Sequence, residues 1–148
     1  MVLNPVAFVH CSRSEPIDDT WGEVESVIRL AGELPEESLL GIEGFSHLEV
    51  IYFFHRSEKV MTGSGHPREN FDWPRVGIFS QRKKDRPNHL GSAFVQLLRR
   101  DGRDLHVKYL DAIDGTPVLD IKPVFREFLP QGKLQQPAWT DELMKNYW

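Results

Sequence analysis

Residues 91 to 110 read GSAFVQLLRRDGRDLHVKYL, two apolar runs joined by Asp101-Gly102. An Asp-Gly pair between such runs is the strongest short-range signal for a β-hairpin, because its turn positions need positive φ. The second run alternates Leu105, Val107 and Tyr109 with His106 and Lys108, the period of two of a half-buried strand. Pairing about that turn sets Phe94 opposite Tyr109 and Leu98 opposite Leu105 on one face, and a slip of one residue would send all four to the other. The hairpin is therefore expected at the centre of the fold.

A second strong strand is LEVIYFFH, residues 48 to 55, with Leu48, Val50, Tyr52 and Phe54 on one face and Ile51 and Phe53 on the other. A strand apolar on both faces belongs inside a sheet. Shorter strands are predicted at Val6 to His10, Glu25 to Leu30, Val76 to Ser80 and Val118 to Ile121, each bounded by Gly, Pro or charged residues. Helix is scarce: Pro35, Glu36, Glu37 and Gly41 frame one short helix, and Thr140 as an N-cap opens another through Lys145. Residues 57 to 75 are rich in Gly, Pro and charge and carry no period, the mark of a long, functional loop. With 148 residues the chain suffices for a single core, so residues 1–148 are expected to form one domain. The expected fold is mainly β: a single-domain antiparallel β-barrel of six or seven strands, with one or two short helices, closed so that no edge is left open.

The net charge of −4 argues against broad, nonspecific nucleic-acid affinity. It leaves room for a local cationic patch, since screening confines a charge to roughly 8 Å at cellular salt. RKKDRPNHLG, residues 82 to 91, is such a patch, with Arg82, Lys83, Lys84 and Arg86 in five positions. Cys11 stands alone, Met1 to His10 is too short and too interrupted for a secretory signal, and the longest apolar run, Val50 to Phe54, falls far short of the ~20 residues of a membrane helix. A cytoplasmic protein without a membrane span is expected. His47 and His55 would lie ~26 Å apart along one strand, and no HExxH or CxxC is present, so no metal is expected. The absence of GxGxxG and of alternating strands and helices excludes a Rossmann-type cofactor domain. Cys11 has no recognisable base partner and reads as packing. Trp21, Trp73 and Trp148 lie in polar contexts and can form stacking surfaces, although rim packing is the simpler reading. On composition alone, DAIDGTPVLDIKP at 111 to 123 is a turn on a solvated rim, and residues 82 to 91 are a solvated loop.

Together these segments are more specific. GIEGFSHLEVIYFFH (41 to 55), VGIFSQRKKDRPNHLGSAFVQL (76 to 97) and YLDAIDGTPVLDIKP (109 to 123) resemble, in order and spacing, the TsaA-like or TrmO-like family, and PVAFVHCSRSEP resembles that family's first strand. The resemblance implies a small dimeric β-barrel that binds S-adenosylmethionine (SAM) and transfers its methyl group to N6 of the threonylcarbamoyl-modified adenosine beside the anticodon of tRNA. It further implies cofactor contacts at His55 and Arg56, at Arg82, at Ser92, and at Asp111, Ala112, Ile113 and Asp114. A looser match adds Asp19, Thr20 and Trp21.

The chemistry of these residue types agrees with that cofactor. Arg82 can grip a carboxylate with two parallel hydrogen bonds, Asp111 or Asp114 can meet an ammonium or ribose hydroxyls, and the backbone at Ala112 and Ile113 can form a slot for adenine. Methyl transfer then needs chiefly in-line placement, and no residue stands out as the catalytic base. Lys83, Lys84 and Arg86 are the expected RNA contacts. The chain departs from the family in reading Arg86-Pro87-Asn88-His89 where members usually read RPNP, in carrying Glu49 where an apolar residue is common, and in stopping at Trp148, short of the further C-terminal region of longer members. A second proline would fix its own φ and hold Asn88 extended; His89 does neither. Alternative activities are methylation of a small molecule or another RNA, or SAM binding without turnover.

Overall fold

The computed structural model describes all of residues 1–148. In chain order the strands are β1 (Ala7–Cys11), β2 (Glu25–Leu30), β3 (His47–Phe53), β4 (Ser64–Gly65), β5 (Val76–Gly77), β6 (Leu90–Asp101), β7 (Asp104–Lys108) and β8 (Pro117–Pro123). Six of them close into an antiparallel barrel in the order β1-β2-β7-β6-β3-β8, while β4 and β5 pair separately. One α-helix, α1 (Ala138–Met144), and several single 3-10 turns complete the chain.

Alternation sorts the side chains as the strands require. Leu48, Val50 and Tyr52 of β3 point inward, as do Val95 of β6 and Leu105 and Val107 of β7, where they meet Ala7, Val9, Ile28 and Val118 in one continuous core. Each fully buried aliphatic side chain contributes roughly 1.5–3 kcal/mol relative to exposure. One end of the barrel is sealed by Arg100, whose guanidinium bonds Glu36 and Glu43 at 3.0 Å and the carbonyl of Leu39.

The central hairpin forms, in a different register. Gly102 and Arg103 occupy the turn, and Asp101 pairs with Asp104. Only Gly102 has positive φ, at 57°. A turn with glycine first and an ordinary residue second needs one positive φ and so excludes Asp101 from the bend. The displaced turn sets Arg100 rather than Leu98 opposite Leu105, and a bulge at Leu98 then shifts the pairs beyond it, Leu97 with Val107 and Gln96 with Lys108. Ala93 and Val95 point inward, and Phe94, Leu98 and Tyr109 are exposed. Three shorter expectations change too. The strand expected over Val76 to Ser80 is two residues long and continues as a 3-10 turn, Ile78–Ser80. The segment around Pro35 is a 3-10 turn, Glu36–Leu39. Helix α1 is capped by Pro137, and Thr140 lies within it with its hydroxyl donating to the Pro137 carbonyl.

Gly91 sits directly opposite Tyr52. A Cβ at Gly91 would lie 2.5 Å from Cζ of that ring and 3.0 Å from Phe54, so the strand is cut away where the phenol crosses it. Gly91→Ala is expected to lower stability by about 1–3 kcal/mol, the usual cost of overpacking a core. A denaturant titration should show an earlier midpoint at unchanged slope, with Gly63→Ala, which has open space around it, as the neutral control.

Candidate functional site

The end of the barrel opposite Arg100 carries three long connections: residues 12–24 after β1, 54–89 after β3 and 109–116 after β7. Every cofactor- and RNA-contact residue expected from the sequence is on these connections or, in the case of Ser92, on the adjoining stretch of β6 opposite Ile51. Residues up to 95 positions apart in sequence, Asp19 and Asp114, thus share one rim.

The connections are laced to one another. Arg56 donates to the Ser14 carbonyl at 2.7 Å, and Arg68 forms a two-pronged pair with Asp19. The Asp114 carboxylate accepts from the Cys11 amide at 3.0 Å, the Asp114 amide donates to Arg13, and the Gly115 amide donates to Val9. Arg13 also donates to the carbonyls of Asp19 and Thr20, and its guanidinium stacks 4.3 Å from the centre of the Trp21 ring. All five non-glycine residues with positive φ, namely Thr20, Arg68, Glu69, His89 and Tyr109, belong to or border these connections. Backbone held in this sparsely populated region is typical of functional rims.

Asp111 is the hub. Tyr52 donates to Oδ1 at 2.7 Å, and the Tyr147 hydroxyl donates to Oδ2. Burial raises both phenols well above their usual range, and the neighbouring Asp111 charge raises them further, so both remain neutral donors at physiological pH. Arg82 acts in the opposite direction on both, which places its positive charge within reach of the same cluster. Its Nη2 is anchored to the Ser92 carbonyl at 2.7 Å. A cation and a carboxylate on one rim can receive the two ends of an amino-acid zwitterion.

Other residues occupy less open positions. The side chains of Ala112 and Ile113 are buried, Ala112 in the barrel core and Ile113 against Trp21 and Val24, so only their backbone faces the rim. Trp21 is itself 4% exposed, with one face under Arg13, and offers no open stacking surface. Trp73 packs on Trp139 and donates to Glu142; Trp148 stands edge-on to Tyr109 and Tyr147. The Cys11 thiol donates to the carbonyls of Arg13 and Ala112, and burial raises its pKa, so it is not a thiolate. His55 lies against Gly115.

In the basic segment the cations divide. Arg86 turns inward and donates to the Gln81 carbonyl, and Lys84 pairs with Asp85 at 3.1 Å. Lys83 makes no ion pair and lines an open groove of about 440 Å³ with Lys59, Val60, Met61, Glu69 and Asp85. His89 adopts a φ of 50°, closed to proline, and its Nε2 is 2.8 Å from the Lys59 carbonyl. A comparable groove of about 420 Å³ beside Phe45 and Phe125 lies at the other end of the barrel, away from these groups.

Tyr52, Tyr147, Arg13 and Arg68 were not among the sequence candidates. Tyr52 is visible in retrospect as the polar-tipped member of an otherwise aliphatic inward row; Tyr147 has no local signal, because its position depends on how α1 returns to the barrel.

Residues 11–128 match the family model described as tRNA-methyltransferase O N-terminal domain. A human tRNA (adenine(37)-N6)-methyltransferase is 32% identical over 112 residues, covering 76% of this chain and 25% of its own length. A probable S-adenosyl-L-methionine-binding protein of Pyrococcus abyssi is 35% identical over 130 residues, 84% of this chain and 68% of that one. The crystal structure of TrmO from Pseudomonas aeruginosa superimposes with a TM-score of 0.75 at 22% identity, over 94% of this chain and 61% of the other, which establishes the shared fold. The chain thus spans a quarter of the human relative and about two thirds of the archaeal one.

Burial, and then the Arg56 charge, lowers the pKa of His55 below the usual histidine value. The folded state therefore favours the neutral ring, a contribution present above the unfolded value of ~6.5 and lost as pH falls from there through the lower folded value. His55→Gln should flatten the pH dependence of stability just below 6.5. NMR titration of the imidazole should give a midpoint under 6.5 that rises in Arg56→Gln; a midpoint at or above 6.5 in the unmodified protein would contradict this environment.

Proposed function

The chain belongs to the tRNA-methyltransferase O N-terminal domain family, and on that premise we propose that it is a SAM-dependent methyltransferase acting on N6 of the threonylcarbamoyl-modified adenosine beside the anticodon of tRNA. The observation that carries this reading is the convergence of Arg82, Ser92 and Asp111 to Asp114 on one rim, with a guanidinium and a carboxylate together above the barrel. That donor set fits the amino-acid end of SAM, which bears one carboxylate and one ammonium. The bound cofactor supplies an electrophilic methyl group.

The chain's own residues then bind and orient. Arg82, held by the Ser92 carbonyl, takes the carboxylate of the cofactor. Asp111 takes the ammonium, and the carbonyls near Ala112 and Ile113 border the adenine. Neither Tyr52 nor Tyr147 can serve as a base near neutral pH, because burial and Asp111 keep both protonated. Lys83, unpaired beside the groove, is the foremost phosphate contact; Lys84 reaches RNA only by leaving Asp85, and Arg86 shapes the loop from within. We read residues 1–148 as one barrel domain that works in the cytoplasm as a homodimer; the apolar Phe8, Phe94 and Leu98, exposed on the outer wall, are consistent with a partner subunit.

Incubation with methyl-labelled SAM and tRNA from cells lacking the protein should label tRNA. Label in a metabolite extract but not in RNA would reassign the acceptor, and tight SAM binding without transfer to any extract would make the protein a binding module. Arg82→Ala should weaken SAM binding by about 1.5–3 kcal/mol, the range for a hydrogen bond to a charged group, measured by calorimetry. Lys83→Ala should lower the salt slope of RNA binding by about one, with SAM affinity unchanged. Lys84→Ala, which first loses an internal pair, should lower it by less.

A further inference from the structure

Residues 146–148, beyond α1, form a strap across the rim. The Thr20 amide donates to the Asn146 carbonyl at 2.9 Å, and the Trp21 amide donates to the Tyr147 carbonyl at 2.7 Å. Glycine at position 22 makes this approach possible, since a Cβ there would lie 2.6 Å from the backbone carbon of Trp148. Helix α1 delivers the strap and is itself pinned to the 54–89 connection, where Trp73 donates to Glu142 at 2.8 Å. Trp148 then stands edge-on to Tyr109 and Tyr147. Two backbone bonds, a steric cradle and an aromatic contact make a built arrangement.

The strap brings one polar group to the site. The Tyr147 hydroxyl reaches Oδ2 of Asp111, while Tyr52, rising from the barrel core, takes Oδ1. An ionised carboxylate offers about four acceptor positions, so two stiff phenols fix its plane and leave two free. Those two suit an ammonium, which carries three donors.

We infer that Tyr147 is a positioning residue of the cofactor site, clamping Asp111 with Tyr52 so that its open lone pairs meet the ammonium of the SAM amino-acid end. The inference rests on the SAM reading given above. In this role the strap is a structural wall of the cofactor site, and Gly22 of the 12–24 connection is the feature that admits it.

Two ligands separate this role from simple support of the fold. SAM carries the amino-acid end; 5′-methylthioadenosine keeps the adenine, ribose and sulfur but lacks it. In calorimetric titrations Tyr147→Phe is expected to weaken SAM binding about tenfold, as for loss of one charge-assisted hydrogen bond, and to leave methylthioadenosine affinity unchanged. Gly22→Val, which displaces the strap while leaving every site side chain in the sequence, should show the same selectivity. Undiminished SAM affinity in Tyr147→Phe, or an equal loss for both ligands, would overturn the clamp while the cofactor assignment stands. Failure of the unmodified protein to bind SAM at all would overturn both.

Discussion

The barrel closes along its weakest seam. Strands β1 and β8 pair at only two positions, Ala7 with Val118 and Phe8 with Pro117. The seam is extended by the Val6 amide on the Val118 carbonyl at one end and, at the other, by bonds that the 109–116 connection supplies, from Val9 to the Thr116 carbonyl and from Gly115 to the Val9 carbonyl. An unclosed seam would expose unpaired amides and carbonyls on two edges. The connection that completes the closure also carries Asp111 to Asp114, so the fold and the site impose one shape on the same residues.

This sharing explains how a half-buried carboxylate is tolerated at the mouth of an apolar core. Isolated, Asp111 would be costly to desolvate; bonded by two phenols, with Arg82 in reach, it is compensated. Tyr52 serves both regions, with its ring among Leu48, Val50 and Val95 and its hydroxyl at the rim. The cut-away at Gly91 lets that ring lie flat across β6. Disturbance of the core near Gly91 is therefore transmitted directly to the polar site.

The sequence announced some of this and hid the rest for identifiable reasons. Period-two alternation in LEVIYFFH and LHVKYL located the central strands, because burial on one face leaves no other period. The Asp-Gly signal found the hairpin but misplaced its bend by one residue, and the bulge at Leu98 added a second shift that no local rule encodes. Phe94 and Leu98, chosen as core, consequently lie outside. The rim residues were legible as motifs, while their partners were not. Arg68 meets Asp19 across 49 positions and Tyr147 meets Asp111 across 36, pairings fixed by how the connections fold back rather than by any neighbouring residue.

Position 89 has a consequence for exchanging parts among related barrels. His89 turns the chain into β6 with a left-handed backbone and ties its ring to the Lys59 carbonyl, fastening both ends of the long connection to each other. A connection with proline at position 89 cannot make that turn, since the proline ring forbids a positive φ. Such a segment would enter β6 along a different path and move Ser92 and its tie to Arg82. Loop grafts that bring a proline to position 89 are therefore modular only when β6 travels with the loop, which makes residues 54 to 101, rather than the loop alone, the unit of recombination.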